Sequence, residues 1–163
     1  MATATIDYAH NEIHAGSHFT FDSYLSLTKA GSGQLLIITP NTTKWSHLFI
    51  EIDTTAGDVV MEFTENATVT EVGTAATIYN NSRNSTTTNG TLIYLSSTVT
   101  AGTTVLKKKY MGSGKSGYGG VNRNEDEIIL KQGTNYLLKF TEQNIAACQV
   151  NFILEWYEHT NKL

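Results

Sequence analysis

Residues 149–157 read Gln149-Val150-Asn151-Phe152-Ile153-Leu154-Glu155-Trp156-Tyr157, and their alternation decides the fold. Val150, Phe152, Leu154 and Trp156 share one parity, while Asn151, Ile153, Glu155 and Tyr157 share the other. Successive side chains of a strand point to opposite faces, so this pattern marks a strand with one face on a core. Ile153 on the polar side implies that part of that face is covered as well.

The same period recurs upstream. In 19–27, Phe19, Phe21, Leu25 and Leu27 fall on one parity; in 45–53, Leu48, Ile50 and Ile52 do; in 59–65, Val59, Met61 and Phe63 do. Ala56-Gly57-Asp58 lies between the last two runs, which therefore read as a hairpin. Leu35-Leu36-Ile37-Ile38 is a short continuous apolar strand closed by Pro40-Asn41. Further strands are expected at 76–80, 91–99, 104–110, 127–131 and 135–141. No segment sustains a 3.6-residue period over three turns.

Composition agrees: 25 threonines, 13 asparagines, 13 glycines and a single proline in 163 residues. Threonine is β-branched and sits easily on a pleated strand, and asparagine and glycine supply turns. The fold class expected is all-β, a two-layer β-sandwich, either jelly-roll or immunoglobulin-like, with an irregular N-terminal arm. The arm is residues 1–18 and the sandwich is a single domain over 19–163. Residues 80–91 and the glycine-bearing stretch 111–124 read as exposed loops.

Net charge is −4, and Lys107-Lys108-Lys109 is the longest basic run, which argues against a nucleic-acid partner. The longest strongly apolar run is far too short to span a bilayer, so no membrane partner is expected. The start, Met1-Ala2-Thr3-Ala4-Thr5-Ile6-Asp7, lacks the pattern of a secretory signal, and synthesis in a cytoplasm is expected. The five Asn-x-Ser/Thr sites, at Asn41, Asn66, Asn80, Asn84 and Asn89, then read as products of the Asn/Thr bias. Cys148 is the only cysteine, so no intrachain disulfide forms.

Candidate chemistry is sparse. Gly112-Ser113-Gly114-Lys115-Ser116 suggests a phosphate loop, but Lys109 stands where that motif needs its first glycine. Asn122-Arg123-Asn124-Glu125-Asp126-Glu127 concentrates oxygen ligands without calcium-loop spacing and reads as a solvated turn. Glu51, Asp53, Glu62 and Glu65 lie on or beside strands, with nothing to fix a catalytic separation between them. His47 and His159 are isolated in sequence and read as satisfied strand-edge residues. His10, His14 and His18 recur at four-residue intervals, a spacing that on a helix can face a metal. Gly16-Ser17 interrupts any such helix, and contacts to a partner are the preferred reading. Ile6, Tyr8, His10, Ile13, His14 and His18 are accordingly the expected partner or inter-subunit contact residues. No catalytic residue, metal or cofactor is expected, and the chain reads as no enzyme.

Four runs carry a resemblance: Ile6 to Phe19 (IDYAHNEIHAGSHF), Thr39 to His47 (TPNTTKWSH), Asn122-Arg123-Asn124-Glu125 with Ile128-Ile129-Leu130-Lys131, and Asn151 to Asn161 (NFILEWYEHTN). They resemble small virion proteins of tailed bacteriophages. The resemblance implies a capsid decoration (cement) protein, typically a β-rich homotrimer on the capsid surface of the virion. It would bind the outside of the major capsid protein lattice after synthesis in the host bacterial cytoplasm. The alternative is a receptor- or glycan-binding fibre or head-fibre module, with Tyr79, Tyr94, Tyr110, Tyr118 and Trp45 as stacking platforms.

Overall fold

The computed structural model describes residues 8–112, 127–143 and 145–160. One helix, α1 (Tyr8–His14), precedes thirteen strands among the described residues. They are β1 (His18–Leu27), β2 (Ser32–Ile38), β3 (Lys44–Thr54), β4 (Val59–Glu65), β5 (Thr68–Glu71), β6 (Thr74–Ala75) and β7 (Tyr79–Asn80). There follow β8 (Leu92–Leu95), β9 (Thr98–Thr100), β10 (Thr104–Met111), β11 (Ile128–Leu130), β12 (Asn135–Glu142) and β13 (Cys148–Thr160).

The strands form two main antiparallel sheets. One has the order β11-β3-β13-β1-β7 and the other β10-β4-β12-β2-β8-β6, with β5-β9 as a separate ribbon. The protein is therefore an all-β sandwich. Eight strands carry its body, and β1, the first in the chain, pairs with β13, the last, from His18 opposite Tyr157 to Leu27 opposite Cys148. The interleaved orders β11-β3-β13-β1 and β10-β4-β12-β2 are jelly-roll connectivity, which resolves the choice left open by sequence.

The core lies where the alternation placed it. Phe19, Phe21, Ile50, Ile52, Val150, Phe152, Leu154 and Trp156 from one sheet meet Leu35, Ile37, Met61, Phe63, Tyr136, Leu138 and Phe140 from the other. The continuous run at β2 has its own reason: Leu36, facing away from this core, is buried too, so both faces of the strand need apolar residues.

The expected hairpin between 45–53 and 59–65 does not form. β3 pairs with β11 and β13, whereas β4 pairs with β10 and β12, in the other sheet. The connection is an arch, and Gly57 turns it in the left-handed region at φ 73°. A Cβ at Gly57 would meet the Ala146 carbonyl at 3.0 Å and Glu142 Oε1 at 3.2 Å. Leu48, Ile50 and Ile52 thus face Val59, Met61 and Phe63 across the core, where an arch buries both apolar faces and a hairpin would put them side by side.

Between β4 and β10 the chain makes a long excursion to the opposite side of the sandwich. There β7 extends one sheet beyond β1, and β8 and β6 extend the other beyond β2. This covers two strands that would otherwise present open edges. The expected strands 76–80 and 91–99 are short pieces of this excursion, and β5 within it was not expected. Glu158, buried at the end of β13, ties the excursion down by accepting from Gly90 N at 2.8 Å, Thr91 N at 2.8 Å and Trp156 Nε1 at 2.9 Å.

Of the expected arm, residues 1–7 lie outside the described residues, and residues 8–14 form α1. The helix ends in a paired capping arrangement: Gly16 N donates to the Ile13 carbonyl at 3.0 Å, and Ser17 N to that of Glu12 at 3.0 Å. Gly16 takes the left-handed conformation, φ 72°, that this cap requires. The chain is thereby redirected into β1, and residues 16–18 join the body. Asn80 Nδ2 donates to the Gly16 carbonyl at 2.7 Å, and Glu158 N to that of Ser17 at 2.9 Å.

Candidate contact surface

Strand register assembles the outward face of the β3-β13-β1 sheet row by row. At one end, Ile129, His47, Tyr157 and His18 stand in one row across β11, β3, β13 and β1. The Tyr157 ring stacks on His47 at 4.5 Å, and the His159 ring stacks on both, 4.5 Å from His47 and 5.6 Å from Tyr157. Glu127 Oε1 closes the group, contacting His47 Nδ1 and accepting from the Tyr157 hydroxyl at 2.6 Å. Burial holds the His47 pKa below its usual value, against the opposing pull of the Glu127 carboxylate. His47 and His159 are therefore not isolated. They lie far apart in sequence, and antiparallel register brings them together.

Helix α1 lies at this end of the face. It packs on β1, and the charge of Glu12 acts on His47. Glu12 is buried and accepts from the Ser17 hydroxyl. Trp45, opposite His159 in the register, is 39% exposed, and Ile129 is 51% exposed. This gives a surface with apolar and aromatic groups flanking a histidine-rich stack.

The expected contact residues separate into groups. Ile6 lies outside the described residues, as does the side chain of Tyr8. His10 and His14 are exposed and adjacent, with Nε2 atoms 3.0 Å apart. Ile13 is half-buried. His18 is fully buried, its Nδ1 2.9 Å from Asn81 Nδ2. The helix cap at Gly16 is the reason: it removes His18 from the helical face that His10 and His14 share. Among the described residues no group of three or more His, Cys, Asp or Glu side chains is placed to hold a metal.

Further along the same face a shallow groove is lined by Thr20, Asp22, Tyr24, Glu51, Asp53, Asn151, Ile153 and Glu155, among others. Tyr24 is 59% exposed there. Of the acids considered for paired catalysis, only Glu51 and Asp53 share this groove. Glu62 is in the other sheet, bound to Lys108 Nζ at 2.8 Å, and Glu65 is buried there with Lys131 Nζ at 2.6 Å. Among the described residues, the aromatic side chains expected to stack on sugars sit on four different strands, Trp45 on β3, Tyr79 on β7, Tyr94 on β8 and Tyr110 on β10. Tyr79 lies under Arg83 on β7, Tyr110 beside Lys108 on β10, and Tyr118 is outside the described residues. The candidate phosphate loop and the acidic turn, apart from Gly112 and Glu127, are outside them too.

The fold and this surface define a jelly-roll β-sandwich with a helix and a histidine-aromatic stack at one end of one sheet. No family model, curated protein or solved structure matches the chain. Among the described residues no helix is long and apolar enough to cross a membrane.

Proposed function

We propose that this is a non-enzymatic virion structural protein of a tailed bacteriophage, a capsid decoration protein. It binds the outside of the major capsid protein lattice as a homotrimer and stabilises the head. One observation supports this reading above others. All four runs that carry the phage resemblance, spread along the sequence, contribute one residue each to a single row: His18, His47, Ile129 and Tyr157. The stretches on which that resemblance rests thus meet at one end of one sheet, where His18, His47 and Tyr157 are buried and the exposed groups beside them suit a docking site. Exposed Trp45 and Ile129 are the anchors such a site needs, since aromatic and apolar side chains dominate binding energy at interfaces. Symmetric docking of three copies multiplies a weak contact.

The test is decoration in vitro. Capsids lacking the protein are mixed with purified protein, sedimented and assayed for bound protein and heat resistance. Binding is expected to fall in Trp45→Ala and Ile129→Asp, both at exposed positions, with circular dichroism unchanged. Failure of the parent protein to co-sediment with capsids would sink the proposal.

The second reading, a glycan-binding module, draws on the groove. Tyr24 offers a flat ring beside the hydrogen-bonding groups of Asp22, Asp53 and Asn151. Retention on a glycan array, lost in Tyr24→Ala, would favour it over decoration.

A further inference from the structure

The imidazoles of His10 and His14, four residues apart, meet on one exposed face of α1. Their Nε2 atoms are 3.0 Å apart, while the ring centroids are 4.6 Å apart. The rings are set edge to face at 73°, and their two nitrogens are close enough to be bridged by one ion at the metal–imidazole bond length of about 2.0–2.1 Å.

We propose that His10 and His14 form a two-histidine chelate for a divalent transition-metal ion, with water completing the coordination. This inference does not depend on the decoration reading. The helix supplies the preorganisation: residues four apart are neighbours on one face, and the Gly16 cap ends α1 just beyond His14. Both histidines are exposed, so an ion reaches them without rearrangement of the body.

The general affinity order for divalent ions at nitrogen sites places Cu2+ first. Both nitrogens must be unprotonated to bind, so binding weakens as pH falls.

The experiment is titration of tag-free, full-length protein with Cu2+, Ni2+ and Zn2+ separately, by calorimetry and, for Cu2+, electron paramagnetic resonance. One equivalent of Cu2+ is expected to bind, more tightly than Ni2+ or Zn2+, with a spectrum showing two nitrogen ligands. His10→Ala and His14→Ala should each loosen it by about tenfold or more and leave one nitrogen in the spectrum. The double variant H10A/H14A retains His18, His47 and His159 and should lose the site with the sandwich intact by circular dichroism. Unchanged Cu2+ binding in the double variant, or none in the parent protein, would overturn the proposal.

Discussion

Replacing Phe152 with Ala tests the sandwich at its centre. Phe152 sits on β13, between Ser23 of β1 and Ile52 of β3, and is 1% exposed. Its ring lies 5.8 Å from Phe140 of the opposite sheet, at 17°, and 6.1 Å from Phe21. It therefore links the two sheets as well as filling space. Losing the burial of the ring costs about 2–3 kcal/mol. The vacated volume, roughly 100 Å3 at about 24 cal/mol per Å3, adds up to about 2.4 kcal/mol where neighbours do not collapse. The expected destabilisation is thus about 4–5 kcal/mol, a large share of the stability of a typical domain. For a domain of this size the melting temperature should drop by roughly 8–20 °C. Urea denaturation and a thermal scan measure both, with Ile153→Ala as the control. That residue is adjacent but outward-facing and 40% exposed, and its loss should cost about 1 kcal/mol or less. If Phe152→Ala melted within two or so degrees of the parent, the packing argument would be wrong.

Glu158→Ala should destabilise by about 3 kcal/mol or more, because the amides of Gly90 and Thr91 and the Trp156 indole lose their shared acceptor inside the protein. Glu158→Gln, which keeps one oxygen, should cost less in the same urea titration. Stability should also fall as pH drops from about 7 towards 5. The His47 pKa is lowered in the folded state, chiefly by burial, so the unfolded chain takes up the proton first, from about the ordinary histidine value of 6.5 downward. His47→Gln should flatten that slope, and an unchanged slope would assign it to other groups. Deleting residues 2–14 should leave the β-type circular dichroism signal, since α1 contributes no strand, while weakening capsid binding; loss of the signal would show that the helix is needed for the body to fold.

The strands of the body were legible because their signal is local. Phe19 to Leu27, Leu48 to Ile52, Val59 to Phe63 and Val150 to Trp156 announce which side chains face the core through a period of two residues, whatever strand lies beside them. Ile153 shows the limit of that reading. Its apolar side chain suggested a covered outer face, yet it lies in an open groove, and the covered residue on that face is Tyr157, beneath the histidine stack. Exposure of one residue depends on what packs over the sheet, and residues 8–18 and 127–129 are distant in sequence from β13.

Pairing was decided only by the tertiary structure. The alternation on either side of Gly57 is the same for a hairpin and for an arch. The arch forms here because β13 takes the place beside β3 and β12 the place beside β4. The same holds for the surface. His10 and His14 meet because helix geometry is local, and the glycine that ends their helix could be read directly. His47, Tyr157 and His159 meet because β13 pairs with β3, and Glu127 joins them because β11 pairs with β3 on its other side. Period and capping are properties of neighbouring residues, so sequence alone determined the strands of the body and the stop at Gly16, while α1 itself falls in a stretch that reads as irregular. Register and sheet order depend on which distant strands bury each other's faces, and only the folded chain decides that.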